Sequence, residues 1–137
     1  MAKDGLKIVI GAHRLVNALD LATGALVRRY GLTLGQFAVL EALYHKGEMT
    51  VGEVRDKILS SSGTIPMIVK NLEKQGLITR RVNEADRRSA ILSLTDEGRA
   101  LIAEVYPQNE ALLLEMLSVY SEAEQAALAN LLKKFGG

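Results

Sequence analysis

The stretch of residues 62–98 constrains the fold of this chain more than any other part of it. It reads SGTIPMIVKNLEKQGLITRRVNEADRRSAILSLTDEG, and its apolar residues recur at i, i+3, i+4 and i+7: Ile65, Ile68, Val69 and Leu72. This spacing places four apolar side chains on one face of a helix. Pro66 lacks an N–H group and is tolerated only in the first helical turn, so we expect the helix to begin no earlier than Gly63 or Thr64.

A hairpin is predicted directly after this helix. Gly76 suits the left-handed capping position, so the helix is expected to end just before it. Two short runs of β-forming residues follow, 77–82 and 90–94. The polar segment between them contains the adjacent residues Arg87 and Arg88. The pattern therefore predicts a helix followed by a β-hairpin with two arginines at its tip.

Composition and charge narrow the possible functions. The chain has 137 residues, the usual size of one domain, and it is 48% hydrophobic but only 4% aromatic. Such a composition favours aliphatic, mostly helical packing and disfavours modules that stack nucleic-acid bases on aromatic side chains. The net charge is only +1, but the charges are unevenly distributed. Residues 55–88 hold eight basic and four acidic side chains, whereas residues 103–137 hold two basic and five acidic ones. One region is basic and the other mildly acidic.

Several classes of site are excluded or disfavoured. The chain has no cysteine, which excludes disulfides, thiolate metal sites and thiol redox sensing. Its two histidines, His13 and His45, are far apart in the sequence, so we expect no metal site and no cofactor. We find no uncharged run of the ~18 residues that a membrane span needs and no signal peptide, which predicts a cytoplasmic protein without membrane contact.

The remaining helices can be placed from their start and stop signals. A long helix is predicted over 3–29, and Pro107 is expected to kink or break the helix that Thr95 caps. Three capping boxes predict further helix starts, formed by Thr33 with Gln36, Thr50 with Glu53, and Ser121 with Glu124. The predicted fold is mainly α with a small β-hairpin wing, organised as an N-terminal helix (1–32), a winged helix-turn-helix region (33–98) and C-terminal helices (99–137). The apolar-rich terminal helices predict dimerisation, since a small monomer has little need of them.

The two helices before the hairpin have the proportions of a helix-turn-helix. Its second helix would enter the major groove of duplex DNA, where polar side chains near the N-terminus read base edges. The candidate reading residues are Ser61, Ser62, Thr64, Met67, Lys70 and Asn71. Arg87 and Arg88 would contact phosphates or a narrow minor groove, and Asp86 is expected to pair with Arg88 and order the loop. The alternative for the loop is a solvated turn with surface arginines.

No enzymatic motif is present. We find no nucleotide-binding glycine fingerprint, no HExxH and no nucleophile with a plausible partner set. The serines at 60–62 are better explained by helix capping. We therefore predict that the protein is not an enzyme.

Two segments carry a family resemblance. LEKQGLITR at 72–80 and DRRSAILSLTDEG at 86–98 closely resemble the MarR (multiple antibiotic resistance regulator) family of winged-helix transcription regulators. The run D-R-R-x5-L-T-x-x-G matches the wing signature of that family with Asp86, Arg87, Arg88, Leu94, Thr95 and Gly98. The residues that open the two preceding helices match as well, so the resemblance covers nearly the whole chain.

The resemblance implies a homodimer that binds a pseudo-palindromic operator in double-stranded DNA, usually as a repressor. It also implies a small aromatic or phenolic effector, bound between the dimer region and the DNA-binding lobe, which releases the DNA. His13 and Arg14 on the first helix are the candidate pocket residues. The alternative is a winged-helix protein–protein adaptor, which would have little use for paired arginines on a wing. The sequence departs from the family pattern at Pro66 and Met67, where many relatives have polar or basic side chains, so base readout is expected to rely more on apolar contact.

Overall fold

The computed structural model of the protein describes residues 2–58 and 64–136. Within them the fold has six helices and a three-stranded antiparallel sheet, which confirms the predicted fold class. The elements in chain order are α1 (Ala2–Arg28), α2 (Leu34–Lys46), β1 (Met49–Thr50), α3 (Val51–Ile58), α4 (Ile65–Lys74), β2 (Ile78–Val82), β3 (Ala90–Leu94), α5 (Asp96–Leu117) and α6 (Glu122–Leu132). They form two compact units, which we call the central unit (Gly24–Pro107) and the terminal unit (Met1–Thr23 with Gln108–Gly137). None of the described helices is long and apolar enough to cross a membrane.

The capping signals locate the helix starts correctly. At α2 the Thr33 hydroxyl accepts a hydrogen bond from the Gln36 amide (3.2 Å), and the Gln36 side chain accepts one from the Thr33 amide (3.0 Å). The same reciprocal pair forms at α3 and at α6. These bonds satisfy amide groups that have no partner within the helix. The three predicted capping boxes are confirmed.

The sheet contains one strand that the sequence pattern did not reveal. Its order is β1-β3-β2, and the predicted hairpin of β2 and β3 is confirmed. The additional strand, β1, pairs with β3 through only two residues, Met49 opposite Leu92 and Thr50 opposite Ile91. Two residues are too few to show the period-two alternation that identifies a strand. β1 nevertheless joins the hairpin directly to the start of α3.

The core of the central unit is aliphatic and includes the inner face of α4. Three of the four residues that define this face are buried, Ile65, Val69 and Leu72, and Ile68 is partly buried. They pack with residues from α1, α2, the sheet and the first part of α5. The α4 boundaries follow the prediction, because Pro66 lies in the first turn and Gly76 adopts a φ of +75° just beyond the end.

The start of α5 approaches the end of α4 very closely. The Thr95 hydroxyl donates to the carbonyl oxygen of Gly76 (2.7 Å), and the Thr95 amide donates to the carbonyl oxygen of Leu77 (3.1 Å). Gly98 lies against the same backbone, and a Cβ atom at this position would be 2.0 Å from the Leu77 carbonyl oxygen. The threonine and glycine of the wing signature therefore fix α5 to the chain segment between α4 and β2.

Pro107 was predicted to kink or break the helix, and a break is wrong. α5 continues through this residue from Asp96 to Leu117. An interior proline removes one helical hydrogen bond and crowds the preceding turn, and these two effects usually kink or end a helix. Pro107 is exposed, and Val105, two residues before it, is fully buried in the core. We attribute the continuity to this packing, which outweighs the local penalty.

The described part of the terminal unit has no fully buried apolar side chain. All the buried apolar side chains of the described residues belong to the central unit, whereas the terminal unit buries Thr23 and Asn109, joined by a 2.7 Å hydrogen bond between Oγ1 and Oδ1. Its exposed apolar side chains include Leu6, Ile8, Val9, Ile10, Val16 and Leu21 on α1, and Leu131, Leu132 and Phe135 at the C-terminal end. This is far more exposed apolar surface than scattered single residues would give.

Candidate DNA interface

Most of the outer face of α4 is exposed. Thr64, Met67 and Lys70 are exposed, with 62% of the Met67 surface accessible, and Asn71 is partly buried. Four of the six predicted reading residues thus lie on the outer side of a helix whose inner face is held in the core. The other two, Ser61 and Ser62, lie outside the described residues.

The wing loop, residues 83–89, is organised by its own hydrogen bonds. The Asn83 side chain accepts from the Ala85 amide (3.1 Å) and donates to the Ser89 hydroxyl (3.1 Å). The Asp86 amide donates to the Asn83 carbonyl and the Ser89 amide to the Asp86 carbonyl. This Asn-centred turn leaves the side chains of Arg87 and Arg88 at the tip, 70% and 91% exposed.

Asp86 orders the loop in the predicted manner. Its carboxylate accepts hydrogen bonds from Nε and from the backbone amide of Arg88, both at 3.1 Å. These bonds lower the pKa of the Asp86 carboxyl, the side-chain bond more than the backbone one. The carboxylate thus orients the Arg88 guanidinium beside it.

A groove runs between α3, α4 and the wing, with a volume of about 700 Å³. We call it the arginine groove, because five of its described lining residues are arginines: Arg55, Arg80, Arg81, Arg87 and Arg88. None of the other described lining residues is charged, and Pro66 and Val69 of α4 form part of the wall. The groove thus lies beside α4 and next to the wing, and Arg87 and Arg88 line it, whereas the described reading residues of α4 do not.

Only two of these five arginines, Arg87 and Arg88, were predicted to belong to the site. Arg55, Arg80 and Arg81 contribute to the positive charge of residues 55–88, which was the only signal that pointed to them. No local motif indicated that α3 and β2 would line the same groove. That placement arises from the packing of β1, α3 and the hairpin.

Four of the groove arginines form ion pairs, each with a different carboxylate. The partners are Glu73 for Arg80, Glu48 for Arg81, Glu84 for Arg87 and Asp86 for Arg88. Arg55 has no ion pair with any described residue. All four pairs are substantially exposed, a setting in which ion pairs are weak and exchangeable unless they are two-pronged, as the pair of Arg81 with Glu48 is. An arriving phosphate could therefore replace a carboxylate partner.

A second cavity of about 420 Å³ lies between α2 and α3. Its described lining residues are Ala38, Glu41, Ala42, His45, Lys46, Lys57 and Ile58. Burial raises the pKa of the Glu41 carboxyl, while the charge of His45 lowers it to a smaller extent. Beside this cavity the His45 ring stands edge-on to the Tyr106 ring, with 4.6 Å between centroids. The predicted pocket residues His13 and Arg14 are exposed on α1 and do not line it.

Comparison with known proteins identifies the family. The sequence model of the MarR family matches residues 30–89. The transcriptional regulator MhqR of Bacillus subtilis (strain 168) is 35% identical over 136 residues, covering 99% of this chain and 94% of that protein. The chain belongs to the MarR family. It is also 32% identical to the transcriptional repressor MdtR of the same organism, over 79% of this chain and 70% of that protein.

Solved MarR-type structures share the fold of this MarR-family chain. A mutant of MarR from E. coli complexed with operator DNA has a TM-score of 0.85 and 21% identity, over 98% of this chain and 96% of that one. The structure of BpsR of Bordetella bronchiseptica, studied for regulation of its DNA binding by 6-hydroxynicotinic acid, has a TM-score of 0.81 and 26% identity. The match covers 91% of this chain and 89% of that one. The MarR family consists of DNA-binding transcriptional regulators, so this protein is a regulator and not an enzyme.

Proposed function

We propose that this MarR-family protein is a homodimeric, sequence-specific regulator that places α4 in the major groove of an operator and the wing on the adjacent backbone or minor groove. The arginine groove carries this proposal. Five guanidinium groups line it between α3, α4 and the wing, and guanidinium groups bind phosphates well. A protein–protein adaptor with the same fold would have little use for the paired arginines of the wing.

Base readout is assigned to the outer face of α4. Lys70 and Asn71 have the donors and acceptors that read base edges, and the exposed thioether side chain of Met67 suits contact with thymine methyl groups. Thr64, Ser61 and Ser62 would supply hydroxyl groups to bases or phosphates near the helix N-terminus. The wing contacts are assigned to Arg87 and Arg88, with Asp86 orienting the latter.

The DNA-binding proposal predicts recovery of a duplex sequence and a strong salt dependence. We expect selection from a random duplex library to enrich one pseudo-palindromic sequence. Affinity for that duplex is expected to fall with salt, with a log–log slope of about −0.9 for each phosphate that the protein neutralises. Affinity that does not change with salt, or a library without enrichment, would support the adaptor instead.

A second prediction concerns assembly. Residues 1–32 and 99–137 are proposed to form the dimer, because the exposed apolar side chains of the terminal unit need a partner surface. We expect sedimentation at micromolar concentration to give twice the mass of one chain. Val16→Asp, in the middle of this surface, should favour the monomer, whereas Val82→Asp on the wing, where the valine is similarly exposed, should leave the mass unchanged. A folded wild-type monomer at this concentration would contradict the proposal.

Repression and ligand release complete the proposed function. The repressor role is supported by the similarity to MdtR. A small aromatic or phenolic effector is supported by the regulation of BpsR by 6-hydroxynicotinic acid. Titration of phenolic compounds against the selected duplex tests the effector, and substitution of His13 or Arg14 tests whether α1 contributes to its pocket.

A further inference from the structure

One carboxylate outside the arginine groove connects all three strands of the sheet. Glu48 immediately precedes β1, and its Oε2 accepts hydrogen bonds from Arg81 on β2 and from the Ser93 hydroxyl on β3. Its Oε1 accepts a second bond from Arg81, with 3.1 Å between Oε1 and Nη2. Arg81 also donates to the Ser93 hydroxyl (3.3 Å). We call this group of Glu48, Arg81 and Ser93 the strand clamp.

The strand clamp differs from the other ion pairs of the groove in what it connects. The pairs of Arg87 and Arg88 lie within the wing loop, and the Arg80 pair is a single 2.9 Å contact with Glu73 of α4. The strand clamp instead joins the hairpin to β1, and α3 begins at the residue after β1. Because β1 has only two residues paired with β3, the side-chain bonds of Glu48 add a polar connection between the wing and α3 to the apolar packing of Met49, Val54 and Leu92.

The chemistry of the clamp makes it persistent and directional. The hydrogen bonds from Arg81, and to a smaller extent that from Ser93, lower the pKa of the Glu48 carboxyl to about 2. Glu48 is ionised at physiological pH, as a glutamate ordinarily is, and the lowered pKa keeps it ionised in more acidic solution, so its bonds to Arg81 are charge-assisted. A guanidinium that donates to both carboxylate oxygens fixes orientation as well as distance, which a point charge such as an ammonium does not.

We propose that Glu48 is a positioning residue for DNA recognition, which fixes the wing relative to α3 and so increases discrimination between the operator and other sequences. This inference rests on the proposed DNA-binding function. Removing the carboxylate has two opposite effects. Losing a negative charge beside a basic groove strengthens attraction to any duplex, whereas a wing that is less well fixed cannot contact DNA in register with α4.

The test compares two duplexes with the full-length protein, at one salt concentration. One is the duplex selected from the random library, and the other is a scrambled duplex of the same length and composition. For Glu48→Gln we expect equal or tighter binding of the scrambled duplex and weaker binding of the selected one. The ratio of the two dissociation constants is expected to fall about tenfold, the size of effect that loss of one base-pair contact produces.

Glu84→Gln is the matched control, since it makes the same charge change at a carboxylate that pairs only within the loop. We expect it to shift the affinities for both duplexes equally. Arg81→Lys keeps the charge but removes the two-pronged contact, and it should lower the ratio without strengthening binding to the scrambled duplex. Circular dichroism melting confirms that each variant is folded. If Glu48→Gln does not fold, the ratio of dissociation constants measured for Arg81→Lys tests the positioning role instead.

Two results would overturn the proposals in distinguishable ways. If the wild-type protein does not discriminate between the duplexes, the DNA-recognition function fails, and this inference fails with it. If the wild-type protein discriminates but Glu48→Gln shifts both affinities equally, as Glu84→Gln is expected to do, then Glu48 acts through its charge alone and only the positioning role is wrong.

Discussion

Gly98→Ala is expected to lower the free energy of unfolding by about 3 kcal/mol or more. The new Cβ atom would lie 2.0 Å from the Leu77 carbonyl oxygen and 2.9 Å from its carbon. Both are backbone atoms held by the end of α4 and the start of β2, so the strain cannot be relieved by rotating a side chain. Alanine is the better helix former, but that gain is at most about 1 kcal/mol and does not offset the overlap.

Thermal denaturation at a fixed protein concentration measures this effect. A loss of 3 kcal/mol in a protein of this size corresponds to a decrease of about 10 °C in the melting temperature. The control is Gly52→Ala near the start of α3, where the nearest atom to the new Cβ is 3.9 Å away. We expect this variant to change stability by less than about 1 kcal/mol. Equal melting temperatures for Gly98→Ala and wild type would show that α5 does not approach Leu77 so closely.

Arg88→Ala is expected to produce the largest loss of DNA binding among single substitutions on the wing. Its side chain is 91% exposed at the wing tip, and Asp86 orients it. Removing one such contact costs about tenfold in affinity, and the proposed homodimer would lose it on both wings, so the expected loss is about a hundredfold. If the contact is to phosphate, the salt slope should also decrease in magnitude by about 0.9 for each wing.

The measurement is a salt titration of binding to the selected duplex, accompanied by a melting curve. The melting temperature is expected to stay near that of the wild type, because the Arg88 side chain is 91% exposed and adds little to the packing of the protein. Arg99→Ala is the control, since Arg99 is exposed near the start of α5 and does not line the arginine groove. If Arg88→Ala binds the duplex with wild-type affinity, another arginine of the groove makes the wing contact.

The parts of the fold that the sequence predicts well are those determined by local chemistry. Thr33 with Gln36 and Ser121 with Glu124 start helices because each pair satisfies the free amides of its own first turn. Gly76 ends α4 because glycine adopts a positive φ without strain. The pairing of Asp86 with Arg88 was predictable for the same reason, since the two residues are adjacent in one turn.

The features that the sequence did not predict depend on contacts between distant residues. Glu48 meets Arg81 and Ser93, which are 33 and 45 residues away, and no periodicity or motif records that contact. Arg55 joins the site only because α3 packs beside the wing. Pro107 alone would be expected to kink or end α5, but the helix continues because Val105 is packed in the core. Each of these three features depends on tertiary contacts, which a pattern along the sequence does not reveal.

The hydrogen bonds of the wing loop have a thermodynamic consequence. The hydrogen bonds of Asn83, Asp86 and Ser89 are all made within residues 83–89 and hold them in one turn. The loop has therefore lost most of its conformational entropy when the protein folds, and binding need not include a disorder-to-order transition. The heat-capacity change of association should then reflect the surface buried between protein and DNA, with little contribution from folding of the loop.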